Sequence, residues 1–541
     1  LSNGVTVTAN GNFEVVNTPA AGTKAKNIII MIGDGMGATH RTAARIVKTG
    51  VYLGKANAPL AMDQFPITGV VLTASLNSIV TDSAPGAACY STGNKGNNNQ
   101  QGVFPDDTTD NGDNPRVELI GEYLSRTQGK SLGIITTSDV FDATPGAFGS
   151  HTQARSAGTG ICDFYLDEAV SKSNLKVLMG GGRKWFLPSG TTGSARSTTT
   201  DYAYPSDVVS GWGMSTGGSA TDTTRNLLTD FQSAGFTYAS NKTEMTAVTA
   251  NASTKLLGLF SFSNMNVALD KINGRRGSST ALNGASVVAG YGFPDQPLLE
   301  EMTAKAIEVL KQNPNGFVLM IEGASIDKQA HNMDTERWIV DTIEFDNAAE
   351  NVRQFAKNSA NGQTLAVITA DHECAGVAII GASMKTNSNM ITAAASGNTT
   401  TLRKDTVGVY EAASFPSYTL SGTDGYPTTM DPDYKMLVGY AANADRKEDW
   451  LTNPLPLQDS QQPEGSASYT SIKSLLPANP LARDTNGFTI IGHLDGTSAA
   501  HTAGEVPLSA IGRGSKAFMG VQDNTDVFFK IMQAAIGGAA N

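Results

Sequence analysis

The sequence predicts an α/β protein: a mainly parallel central sheet covered by helices on both faces, with large surface insertions. Three observations predict it. Short, wholly apolar runs recur along the chain, and helical periodicity fills the stretches between them. In addition, Asp34, Glu322 and Asp371 each stand within two or three residues of the C-terminal end of such a run. Open α/β sheets bind their ligands at that edge, so distant stretches of chain are expected to converge there.

Taken in order, residues 1–25 read as an exposed arm ending in Pro19-Ala20-Ala21-Gly22. Asn27–Ile32 reads as a strand buried on both faces and closed by Gly33-Asp34-Gly35. Further strands are expected at Gly69–Leu72, Leu132–Ile135, Lys176–Met179, Phe317–Ile321 and Leu365–Ile368, with helices at Leu298–Gln312 and Ile339–Lys357. Asp327 and His331 are four apart and would share one face of a helical turn. Residues 187–250 are rich in Ser, Thr, Gly and Asp around one short helix over Asn226–Phe236, and residues 378–490 are long, polar and Pro-containing. Both read as insertions on the surface of a single domain spanning 1–541, the second of them crown-like.

Composition narrows the function. Of 541 residues, 40% are hydrophobic and 16% charged, which describes a globular chain. The net charge of −11, with no Lys/Arg cluster, argues against a nucleic-acid surface. An anionic substrate must then be held locally by metals or an arginine. No apolar run approaches the roughly 20 residues of a membrane helix. The chain starts at Leu1 without Met or an apolar leader core, which fits a mature periplasmic or secreted protein; a cut made for any other reason looks the same. Cys89, Cys162 and Cys374 cannot all pair internally, so no disulfide framework is implied.

The chemistry centres on Ser83, in Thr81-Asp82-Ser83-Ala84. A serine hydroxyl at neutral pH needs a base or a metal to become a nucleophile, and no histidine is near it in sequence. Four other segments supply carboxylates and imidazoles: Asp34 in a Gly-rich turn, Glu322 with Asp327 and His331, Asp371-His372, and His501. That donor set suits zinc or magnesium, which can activate a lone serine. Each piece has a plainer reading. Gly33-Asp34-Gly35-Met36-Gly37-Ala38 matches a dinucleotide fingerprint, but Asp34 would face the pyrophosphate with like charge. Ser83 could cap a helix, Asp371 could close a strand, Gly180-Gly181-Gly182 could be a tight turn, and Arg155 could serve a surface ion pair.

Together these motifs resemble the alkaline phosphatase family. The matching pieces, in the family's order, are Ile32–Gly37, Thr81–Ala84 with Ser91-Thr92-Gly93, and Asp142–Pro145 followed by Arg155. They continue with Gly180–Gly182, Glu322–Gln329 with His331, Thr369–His372, and His501-Thr502. They cover roughly 26–376 and 491–513; 187–250 and 378–490 carry none. The resemblance implies hydrolysis of small phosphate monoesters at alkaline pH through a phosphoserine intermediate, with two zinc ions and one magnesium ion per chain. One zinc would be held by Asp327, His331 and His501, and a second, about 4 Å away, by Asp34, Asp371 and His372 with Ser83. The magnesium would be held by Asp34, Thr144 and Glu322. Asp142 and Lys328 would stand behind these ligands, favouring a hydrated magnesium, and Asp82 would position Arg155 to grip phosphate oxygens. The family is usually dimeric, so a homodimer is expected. The rivals are a phosphodiesterase or sulfatase on the same scaffold, where the resemblance leads one to expect threonine or a modified cysteine in place of Ser83 and no Arg155, and a non-catalytic surface protein.

Overall fold

The computed structural model describes residues 18, 20–106, 113–201, 223–277, 292–358, 363–381, 418–428, 436–440 and 498–539. Its centre is a ten-stranded sheet. The strands are β1 (Asn27–Gly33), β2 (Ile67–Leu72), β3 (Ser131–Asp139), β4 (Leu175–Gly181), β5 (Phe236–Ala239), β6 (Lys255–Leu259), β7 (Phe317–Gly323), β8 (Thr364–Thr369), β9 (Val506–Gly512) and β10 (Gly520–Asp523). They lie in the order β10-β2-β9-β8-β1-β7-β3-β4-β6-β5. Only β9 runs against its neighbours; every other pairing is parallel. The predicted α/β architecture is therefore the observed one.

Burial explains the apolar runs. Every residue of β1, β3, β7 and β8 is buried, as expected for parallel strands with helices over both faces. The helices that position the site are α1 (Ala38–Thr49), α2 (Ser83–Thr92), α3 (Leu299–Leu310), α4 (Ser325–His331) and α5 (Thr335–Asn358). The long α5 packs against α1, α3 and α4 and buries Trp338, Ile339, Ile343 and Phe345 completely.

Strand register brings the acidic residues together. Ile32 of β1 pairs with Thr369 of β8 on one side and Glu322 of β7 on the other, while Glu322 also faces Thr136 of β3. Chain leaving these adjacent strands at one edge therefore places Asp34, Asp371, Glu322 and, past β3, Asp142 and Thr144 side by side.

The described parts of the predicted arm and insertions make specific contacts with the scaffold. The described end of the predicted arm is exposed over 20–24, and its backbone is tied down: the Ala21 and Ala25 amides donate to Gly537 and Ala534 carbonyls, and Ala25 is buried. Within residues 223–250, β5 completes the sheet edge and Phe231 packs on Phe186 and Phe236 with ring centroids 5.7 and 5.0 Å away. The described parts of 378–490 are also anchored. Val377–Gly381 pairs with Leu437–Tyr440, and the Tyr440 hydroxyl accepts from Trp338 Nε1 at 2.9 Å. The rest of that stretch lies outside the described residues.

Candidate active site and metal centre

Ser83 is the first residue of α2, and Asp82 is its N-cap, its carboxylate accepting the Ala84 amide at 2.6 Å. The capping reading thus falls to Asp82 and leaves the Ser83 hydroxyl free to face the site. α2 lies tight against the Asp371 loop: a Cβ on Gly86 would stand 3.0 Å from the Asp371 carbonyl, and Tyr90 donates to the Ala370 carbonyl at 2.7 Å. Ser83 Oγ consequently sits 3.1 Å from His372 Nε2 and 3.5 Å from Asp34 Oδ1. His372 Nε2 is in turn 3.3 Å from Asp34 and 3.4 Å from Asp371.

A second cluster adjoins the first. His331 Nε2 and His501 Nε2 lie 3.0 Å apart, and Asp327 is 3.3 Å from one and 3.5 Å from the other. Their Nδ1 atoms face the Ala499 and Thr81 carbonyls at 2.5 and 2.9 Å. A carbonyl only accepts, so each Nδ1 carries a hydrogen, and in the neutral ring that a metal binds each Nε2 presents a lone pair. Facing lone pairs beside a carboxylate form a site for a cation. The ligand atoms of Asp327, His331, His501 and also Cys374 lie within 4.8 Å of one another, as do those of Asp34, Asp327 and His372. Asp327 therefore faces both groups.

Behind these, Glu322 accepts from Thr136 through a very short hydrogen bond and from Ser138 at 3.4 Å. Thr144 Oγ1, Asp327 Oδ1 and Asp371 Oδ2 are buried without hydrogen-bond partners. Lys328 Nζ donates to Asp142 at 2.7 Å, and Arg155 reaches Asp142 at 2.9 Å and Asp82 at 3.5 Å. Arg155 keeps 28% of its side chain exposed, so an incoming anion can reach it.

Electrostatics says the same. Burial, then the charges of Asp371, Asp327 and Glu322, pushes the Asp34 carboxyl far up. Burial first and then Asp142 raises Glu322 to about 7, and burial with Asp327 raises Asp371 to about 7. Asp142 goes the other way: burial opposes ionisation, but Lys328 and Arg155 outweigh it. Burial and the neighbouring His501 keep His372 neutral, the form that binds metals. Crowded, buried carboxylates with unpaired oxygens are what divalent cations relieve. The donor set fits zinc and magnesium.

Of the predicted residues, Asp34, Asp327 and His372 form one close group and Asp327, His331 and His501 another, with Ser83 beside the first. Reading the sequence missed Thr136 and the Ala499 and Thr81 carbonyls. Only Thr136 left a trace, as the register partner of Glu322 inside an apolar strand.

Fold and cluster define an α/β protein with a carboxylate- and histidine-rich site at the C-terminal edge of its sheet. The family model for alkaline phosphatase matches residues 25–537. The chain belongs to the alkaline phosphatase family, whose members hydrolyse phosphate monoesters. It is 28% identical over 514 residues to alkaline phosphatase 4 of Bacillus subtilis, covering 94% of this chain and 89% of that one. It is 34% identical over 367 residues to alkaline phosphatase H of Pseudomonas aeruginosa, covering 64% and 69%. Among solved structures, Thermus thermophilus alkaline phosphatase superimposes with a TM-score of 0.59 at 20% identity, over 97% of this chain and 94% of that one. The enzyme from the Antarctic bacterium TAB5 gives 0.54 at 20%, over 95% and 98%. At that identity these two likenesses concern the fold.

Proposed function

We propose that this enzyme hydrolyses phosphate monoesters through a phosphoserine on Ser83, at a site holding two zinc ions and one magnesium ion. The observation that carries the reading is the pair of facing His331 and His501 Nε2 lone pairs beside Asp327, next to a Ser83 hydroxyl at 3.1 Å from His372. Asp327, His331 and His501 would hold one zinc, and Asp34, Asp371 and His372 with Ser83 the other. Asp34, Thr144 and Glu322 would hold the magnesium, and a TAB5 variant is described with Mg bound in its M3 site. Bound metal would lower the pKa of the Ser83 hydroxyl and neutralise charge on the leaving oxygen.

The chain's own groups do the rest. Arg155, steadied by Asp82 and Asp142, offers its planar fork to two non-bridging phosphate oxygens and sets phosphorus in line with Ser83 Oγ. Ser83 gives up its hydroxyl proton to solvent as Oγ bonds to phosphorus, the P–O bond to the alcohol breaks and the leaving oxygen takes a proton from water; a second water later attacks the phosphoserine, releasing phosphate and returning the proton to Ser83 Oγ. A monoester fills the Arg155 fork better than a diester, which has one fewer free oxygen. Lys328 holds Asp142 and supplies positive charge behind the site. The metal content, a homodimeric assembly and a periplasmic or secreted location belong to the same proposal. Among the described residues no helix is long and apolar enough to cross a membrane.

The test is hydrolysis of p-nitrophenyl phosphate with and without chelator, beside a diester and a sulfate ester. Chelator-sensitive turnover that prefers the monoester supports the reading. A preference for the diester or sulfate, or turnover untouched by chelator, refutes it.

A further inference from the structure

His501 enters the site on a two-residue ladder with two distinct faces. Glu373–Cys374 runs antiparallel to His501–Thr502, with Cys374 opposite His501 and Glu373 opposite Thr502. Side chains alternate along a strand, so the two cross-strand pairs lie on opposite faces. His501 and Cys374 face the Asp327–His331 cluster. Glu373 and Thr502 face the other way. A ladder this short is marginal by itself, and a slip of one residue would turn His501 out of the site.

The outer face carries a lock on that register. Thr502 Oγ1 donates to the Glu373 carboxylate through a very short hydrogen bond. The carboxylate is fixed in turn, because the Gly376 amide donates to Oε2 at 3.1 Å and the Val377 amide to Oε1 at 3.2 Å. Ala375, at φ +72°, and Gly376, at φ +58°, are both left-handed, and this turn brings the two amides back onto Glu373. A left-handed alanine persists only where its surroundings hold it. Here the Ala375 amide donates to the Ala500 carbonyl at 2.9 Å, next to His501. The loop after Asp34 closes over the same side chain: a Cβ on Gly37 would stand 2.5 Å from Glu373 Cγ. Glu373 is buried, so water competes little for its oxygens.

We propose that Glu373 and Thr502 are positioning residues for His501. The inference rests on the reading that Asp327, His331 and His501 hold a zinc ion. Glu373 is where the loop after Asp34, the Asp371-His372 loop and the His501 segment meet. Its bond to Thr502 fixes the register that sets His501 Nε2 at 3.0 Å from His331 Nε2 and 3.5 Å from Asp327, with the His501 ring stacked on His372 at 3.5 Å. Neither residue is a ligand; both act through the aim of the imidazole. Groups that orient a metal ligand typically change metal affinity by about 10- to 100-fold when removed.

Zinc binding by the full chain, measured by competition with a chromophoric chelator, tests this apart from activity. The unmodified protein is expected to hold a tight zinc that His501→Ala removes. Thr502→Val keeps the shape of the side chain without its hydroxyl and should weaken that zinc about 10-fold or more. Thr502→Ser should restore the parent's affinity, a rescue that a role in packing alone would not show. In a Glu373→Ala background, Thr502→Val should cost no further affinity, since the contact is already gone. Parent-like zinc binding by Thr502→Val, equal weakening by Thr502→Ser, or a full further loss in the Glu373→Ala background overturns the proposal and leaves the zinc site standing. If the unmodified protein takes up no zinc, or His501→Ala leaves its zinc binding unchanged, the site reading falls and the positioning role with it. Should Glu373→Ala not fold, the two Thr502 variants decide alone.

Discussion

Arg155 is anonymous by itself in the sequence; the family resemblance suggests a role for it, and the geometry is compatible with that role. Tied to Asp142 and Asp82, it holds a guanidinium beside Ser83 with a quarter or so of its side chain in solvent. Charge-assisted hydrogen bonds contribute about 1.5–3 kcal/mol each. Arg155→Ala is therefore expected to keep turnover but lower kcat/KM by roughly 10- to 1000-fold, and to weaken inhibition by inorganic phosphate. Equal phosphate inhibition in both proteins would show that Arg155 does not touch the substrate. At this scale the candidate ligands stood out because acids and histidines at the ends of apolar strands are conspicuous. What orients them did not. His331 and His501 are aimed by the Ala499 and Thr81 carbonyls, and any residue carries a carbonyl.

Among the elements, the central strands were readable because burial on both faces leaves an unbroken apolar signature. The sheet edges were not. β5 has only four residues, with a partly exposed middle, and its context is polar enough to pass for an insertion. The antiparallel course of β9 has no local signal either, since direction follows from the connection and not from the strand. Tyr440 shows how much a polar stretch can hide. It is 2% exposed, and its hydroxyl is the described acceptor of the buried Trp338 indole at the head of α5. Tyr440→Phe should cost about 1–3 kcal/mol by stranding that N–H, seen as a lower urea midpoint with an unchanged slope. An unchanged midpoint would mean that 436–440 is not part of the cooperative core.

For the whole molecule, stability and working pH are linked through groups far from the chemistry. Burial and the nearby Glu344 charge raise Glu300 to about 8 from its ordinary 4.5, although Tyr426 donates to it at 2.9 Å. The folded state thus holds this proton more tightly than the unfolded chain. Its contribution is fully present below pH 4.5 and is lost as pH rises through about 8, into the alkaline range. Glu300→Gln should therefore unfold at a higher temperature than the parent at pH 9 and near the parent's at pH 4. A difference of equal size at both pH values would contradict the linkage.

The central claim is that Ser83, at the start of α2 and beside His372 and Asp34, is the residue that takes the phosphoryl group. Quenching turnover of labelled phosphate in acid and locating the label by peptide mapping tests it most directly. The account predicts label on the peptide containing Ser83 in the unmodified enzyme and none trapped on Ser83→Ala, whose metal content stays close to the parent's because carboxylates and imidazoles supply most of the ligands. Label trapped on Ser83→Ala, or label mapped to any other residue of the unmodified enzyme, would contradict it.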